Sequence, residues 1–431
     1  MSKKIQANKQ IAKDMMDFIH KSPTCFHVVS NLKEVLIKEG FTELNEKEEW
    51  KLKAGKYFVT RNDSSIISFK IPKKDFRGFY MIASHSDSPS FKIKENPEME
   101  AFGAYVKLNT EKYGGMLCAQ WFDRPLSVAG RLVVRSKKKG FKTKLVNVDR
   151  DLLMLPSLAI HMNREANDGY KYNPQVDMIP VFGDAASKDK FLDVVALAAG
   201  IAKEDILSHD LFLYNRVAPT FWGAEEEFIS SSRLDDQECV YTTFVGFLKS
   251  GDSNNVAVHC VFDNEEVGSG TKQGADSTFL KDTLVRINNG LGRNEQQYYT
   301  AVANSFMISA DNAHAVHPNH GDKADPVNRP VMNKGIVIKY NANQKYTTDA
   351  VSAAFFMLIC EKAQVPFQTF TNRSDIAGGS TLGNISTSQV SVNTVDIGLA
   401  QLAMHSPYES AGSQDPEYLV KASKVFYEYN A

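Results

Sequence analysis

VAVHCVFDNEEVGSG, residues 256–270, decides how the rest of this chain is read. Its first half is apolar apart from His259 and rich in valine, as expected of a strand buried on both faces. Its second half turns abruptly acidic at Asp263, Glu265 and Glu266. Adjacent carboxylates at the end of a buried strand are costly to desolvate, and least so beside a cation. Neighbouring residues do not easily share one direction, which suits a division of labour. One acid would ligate a metal while the other holds an attacking water as general base. An acidic surface loop would read the same way, so support has to come from other stretches.

Three further apolar runs end in the same fashion. In YMIASHSDSP (80–89), His85 and Asp87 are two apart and share one side of an extended chain. One can then ligate while its neighbour bonds the far ring nitrogen. In SFMISADNAHAVHPNH (305–320), Asp311 closes a strand and His314, His317 and His320 follow, with no HExxH spacing. VDIGLAQLAMHSPYE (395–409) delivers His405. A fifth candidate, SSRLDDQECVYTTF (231–244), places Asp235 and Asp236 at the start of a helix. Capping alone would select an aspartate there, and a carboxylate bridging two metals is the functional alternative. Several carboxylates and histidines, with no CxxC pair among five scattered cysteines, suit two hydrolytic ions about 3.5–4 Å apart. Zinc is the default metal on such ligands, with cobalt or manganese alternatives.

Apolar strands alternating with helices, as in VAVHCVF, SFMISA, GIVIKY, the helix over 349–364, FQTFTN and VDIGLA, predict an α/β fold. Its sheet is mostly parallel and flanked by helices on both faces. In such sheets ligands bind outside the carboxyl ends of the strands, where this chain places its acids and histidines. The texture changes between residues 98 and 231, with short strand-like pieces (LVVR, KLVNV, MIPVF) and the basic turn KKKG at 137–140. This predicts a catalytic domain of 1–97 plus 232–431 and an inserted β-rich second domain of 98–231. A chain of 431 residues makes two domains the better expectation.

Fifty basic against 51 acidic residues removes the electrostatic footprint of a nucleic-acid binder, leaving a peptide or small molecule as partner. No apolar run approaches the roughly 20 residues of a membrane span. The charged start and unpaired cysteines predict a cytoplasmic location.

Seven ordered motifs, SPTCFHVV, ASHSDSP, FDRPLSVAGR, SSRLDD, DNEEVGSG, SADNAHAVHPN and AMHSPYE, resemble the aspartyl aminopeptidase and vacuolar aminopeptidase I family of zinc metallopeptidases nearly end to end. The resemblance implies a binuclear zinc site, two ions per subunit, with His85, Glu266, Asp311 and His405 as terminal ligands and Asp235 as the bridge. It implies Glu265 as general base, Asp87 orienting His85, and His161 of IHMNR reaching a neighbouring subunit's site. It further implies a zinc-peptidase-like catalytic domain, peptide substrates with a free N-terminus, and a large homo-oligomer, typically a dodecamer. Three features depart from the pattern or leave it incomplete. RLDN reads RLDD, adding Asp236; Tyr408 stands where an arginine is usual, beside Glu409; and RSDI before the glycine-rich AGGSTLGN (377–384) does not define specificity. Lys339 could pair with an acidic substrate side chain, although a lysine after a strand is more often solvated. The first residue removed, acidic or neutral, stays open.

Overall fold

A computed structural model describes residues 3–430 except 74 and 139, and of residues 3–8 the backbone alone. The basic turn at 137–140 therefore lies partly outside the described residues. The chain divides into two compact units, one of residues up to Asp87, Pro219–Met404 and from Glu409 onward, the other of Ser88–Ala218 and His405–Tyr408. Sequence texture places the divisions at 97/98 and 231/232 instead, because the strand Ser90–Ala101 is continuous and its composition shifts only partway along.

The first unit is built on a nine-stranded sheet. Its order is Thr42–Leu44, Gly55–Arg61, Ser65–Ile71, Val256–Phe262, Phe79–His85, Phe306–Ala310, Asn393–Gly398, Ile336–Tyr340 and Phe367–Thr371. Five of the eight pairings are parallel, and four strands at the centre, Val256–Phe262 through Asn393–Gly398, run the same way. The strands Val256–Phe262 and Phe79–His85 are buried along their whole length, which is why both read as near-continuous apolar runs. Helices cover both faces. On one, Val29, Leu32, Phe244, Phe247, Phe356 and Phe426 pack with Ile82 and Ile308. On the other, Phe279, Leu284, Ile287 and Ala301 pack with Met81, Val258 and Met307. Each such side chain contributes about 1.5–3 kcal/mol by leaving water.

The helix Leu234–Lys249 lies tightly on the helix Asp415–Tyr427: a Cβ added at Gly246 would stand 2.5 Å from Ser423 Cβ and 2.9 Å from Val420 O. The break read at Ser22-Pro23 separates the helices Lys3–His20 and Cys25–Lys38. A five-stranded sheet containing Phe228–Ser231 and Glu409–Gly412 completes this unit.

The second unit is β-rich. Its six-stranded sheet has the order Gly140–Asn147, Leu126–Ser136, Ile206–Asn215, Ser90–Ala101, Tyr105–Tyr113 and Val181–Asp184, and every pairing is antiparallel. Phe91, Trp121, Leu132, Leu211 and Phe191 form its core, the last from the helix Phe191–Ala199. No helix among the described residues of the chain is long and apolar enough to cross a membrane.

Candidate metal centre

The parallel register brings separate stretches to one edge. Phe262 pairs with His85, and Ser309 lies opposite Ala83, so the residues that follow, Asp87, Asp263 to Glu266, and Asp311, leave the sheet together. The helix Leu234–Lys249 brings Asp235 and Asp236 to this edge, where the carboxylate of Asp236 accepts the His85 backbone N–H at 3.1 Å. Capping does not account for this pair of aspartates. Arg233 occupies the cap position without a side-chain bond, and Asp235 (φ −80°, ψ 108°) and Asp236 (φ −117°, ψ 18°) are not helical. Their peptide bond is cis.

His85, Asp235, Asp236 and Asp311 are all buried, and each offers a ligand atom within 4.8 Å of the others; His85, Glu265 and Glu266 form a second such group. His85 Nε2 lies 3.5 Å from Asp235 Oδ1 and 3.9 Å from Asp311 Oδ1. Ligand atoms bound tetrahedrally at the usual 2.0–2.1 Å sit about 3.3 Å apart, so these side chains need little movement to share an ion. The donors are nitrogen and oxygen, as zinc, cobalt or manganese accept.

Electrostatics points the same way. Burial opposes a charged His85, yet Asp236, Asp235, Asp87 and Glu265 outweigh it and hold the imidazole well above its usual range. Burial, then mutual repulsion, raises the carboxyls of Asp236, Glu266 and Asp311, and takes Glu265 to about 8. So many buried acids around one histidine are the surroundings a divalent cation relieves.

Asp87 is 4% exposed; its main-chain oxygen lies 3.1 Å from His85 Nδ1 and its carboxylate 3.4 Å from the same nitrogen. That carboxylate also receives the backbone N–H groups of Glu265 and Glu266. The three histidines that follow Asp311 are not in these groups: His314, His317 and His320 are exposed, and the rings of the last two lie 5.0 Å apart. His161 is exposed in an irregular segment of the second unit. His405 has φ 67° and belongs to the segment His405–Tyr408, where its carbonyl accepts the Leu117 N–H at 3.1 Å.

Lys339 corrects the expectation of a solvated or substrate-facing lysine. It is 2% exposed, donates to Asp311 O at 2.7 Å and Asn312 O at 3.2 Å, and lies 3.7 Å from the Asp311 carboxylate. The strand Ile336–Tyr340 is interior, so a cation on it has to find its partners inside. Asp236, the second acid of RLDD, joins the cluster; Glu409 was marked along the chain only by its place beside Tyr408, and Glu238, Asn312 and Gln401 behind the cluster carried no local signal.

The sheet edge and its donors are those of a metal-dependent hydrolase. A model of the aminopeptidase I zinc metalloprotease (M18) family matches residues 18–427. A probable M18 family aminopeptidase 2 of Clostridium acetobutylicum is 49% identical over 426 residues, covering 97% of this chain and 98% of that one. The Clostridium novyi protein of the same description is 47% identical over 428 residues, with the same coverage. A chain in a solved complex of Ape4 and Nbr1 superposes with a TM-score of 0.96 at 37% identity, covering 99% of this chain and 87% of that one. A chain of a yeast (Saccharomyces) mApe1 dodecamer gives 0.86 at 28%, covering 97% and 96%. The chain belongs to the M18 family of zinc aminopeptidases.

Proposed function

We propose that this aminopeptidase removes one residue, acidic or neutral, from the free N-terminus of peptides through two zinc ions and a glutamate base. His85, Glu266, Asp311 and His405 would hold the ions as terminal ligands with Asp235 as the bridge, and Glu265 would be the base. The observation that carries this reading is the convergence of His85, Asp235, Asp236 and Asp311 within one ligand sphere, with Glu265 and Glu266 beside His85. His405 enters on the resemblance of AMHSPYE.

When bound, the ions polarise the scissile carbonyl and acidify water. Glu265 takes the proton of the attacking water and passes it to the departing amine. Asp87 holds the backbone of Glu265 and Glu266 and faces the far nitrogen of His85, which fixes both acids and the ring before substrate arrives. His161 is assigned to the substrate or the developing oxyanion of a neighbouring subunit.

The β-rich unit serves oligomerisation and substrate access in a homo-oligomer, a dodecamer by analogy with mApe1. Five cysteines without a disulfide fit a reducing, cytoplasmic compartment.

Glu265→Gln should keep both ions by metal analysis and lose about 100-fold or more in turnover, the worth of general-base catalysis. Full turnover in that variant removes Glu265 from the role. Cleavage of N-acetylated peptides as fast as free ones would make the enzyme a deacylase-like hydrolase instead.

A further inference from the structure

The peptide group joining Leu234 to Asp235 is gripped at both ends. Its carbonyl accepts from Asn312 Nδ2 at 3.1 Å, and its N–H donates to Glu409 at 3.0 Å. Glu409 is in turn approached by the Gln401 amide at 3.5 Å, and the Gln401 carbonyl accepts from Asn312 at 2.9 Å. These contacts close a ring through Asn312, the Leu234–Asp235 peptide, Glu409 and Gln401. Asn312 reaches the same helix twice more: its amide nitrogen, whose two hydrogens are shared among three acceptors, lies 3.0 Å from Glu238, and its oxygen accepts the Cys239 thiol at 3.2 Å. Asn312, Glu238, Gln401 and Glu409 are each 3% exposed or less, so water does not substitute for any of these bonds.

Asn312 directly follows Asp311, whose backbone is tied to the sheet by its own N–H to Ile397 O at 3.0 Å and by the Lys339 ammonium on its carbonyl. One amide side chain therefore joins the strand end bearing Asp311 to the helix start bearing Asp235.

We propose that Asn312 is a positioning residue that registers Asp235 against Asp311 and so sets the spacing of the two carboxylates that hold the paired ions. This rests on the binuclear reading above. Asn312→Asp replaces the donor with an acceptor facing Leu234 O, Gln401 and Glu238. Adding Glu238→Gln returns an amide donor to the pair.

The test is a chelator-competition titration of zinc on the full-length protein, read as affinity and number of ions per chain. Asn312→Asp is expected to bind at least one ion about 10–100-fold more weakly, the usual effect of losing a buried partner behind a ligand. Asn312→Asp with Glu238→Gln is expected to recover part of that loss. Should Asn312→Asp fail to fold, Asn312→Ser takes its place, and the same weakening is expected without repulsion. Unchanged affinity for both ions in either single variant, or no recovery in the double variant, overturns the proposal. Wild-type protein that binds fewer than two ions overturns the binuclear reading itself, whereas two ions held equally well by wild type and variant overturn the role of Asn312 alone.

Discussion

Asp87 Oδ1 accepts the backbone N–H of Glu265 at 3.1 Å, and its other oxygen accepts that of Glu266 at 3.2 Å. One carboxylate thus holds the main chain of both adjacent acids while facing His85 Nδ1. Asp87→Ala frees that turn and leaves two donors unmatched. Turnover should fall about 10–100-fold, with Asp87→Asn between the two because it keeps one acceptor oxygen. Steady-state kinetics alongside zinc content checks this, and wild-type turnover in Asp87→Ala would refute it.

Lys339 is the only positive side chain among the described residues that pairs with Asp311 other than His85. Removing one partner of a buried pair costs about 3–5 kcal/mol, since the remaining charge is stranded. Lys339→Met should show that loss in urea denaturation of metal-free protein. Excess zinc should narrow the difference, because a cation beside Asp311 restores the balance. A difference independent of zinc would argue that Lys339 acts only through the two carbonyl oxygens it bonds.

At Gly398 a Cβ would stand 2.0 Å from Asp311 O and 2.9 Å from its carbonyl carbon, so backbone rather than a flexible side chain would have to move. Gly398→Ala should destabilise by about 1–3 kcal/mol or more, the scale of overpacking. It should also weaken zinc binding, because the displaced segment carries a ligand candidate. Equal stability and equal zinc affinity would count against both statements.

His259 lies fully buried in the strand Val256–Phe262, bonded to the Thr243 hydroxyl at 3.0 Å and packed against Phe244 and Phe247. Burial lowers its pKa from 6.5 to about 3. A lowered folded pKa means the unfolded chain binds the proton first, so this stability is full above pH 6.5 and is lost as pH falls toward 3. The slope is up to about 1.4 kcal/mol per pH unit. His259→Leu should flatten the acid limb of the denaturation profile over that window, and an unchanged limb would show that other groups carry it.

Much of the site was legible because local sequence reports local chemistry. The runs before His85, Glu265 and Asp311 announced buried strands, and the acids after them announced something worth the cost of desolvation. The helix start at 235 was ambiguous for the same reason, since an aspartate there also looks like a cap; its backbone is non-helical, and Asp235 and Asp236 meet Glu409 and His85, 174 and 151 residues away in sequence respectively. Lys339 misled. A lysine after apolar residues reads as solvated unless the partners that surround it are known.

Alternation of strand and helix, the balance of charge and the identity of the candidate ligands were determined by the sequence itself, because each depends on residues near one another along the chain. Which of those side chains come close enough to share an ion, which of the histidines after Asp311 stay outside, and which amides and acids brace the cluster were decided by the tertiary structure alone. The physical reason is that strand order and register set distances across the sheet edge, and a ligand sphere a few ångströms wide responds to those distances rather than to spacing in sequence.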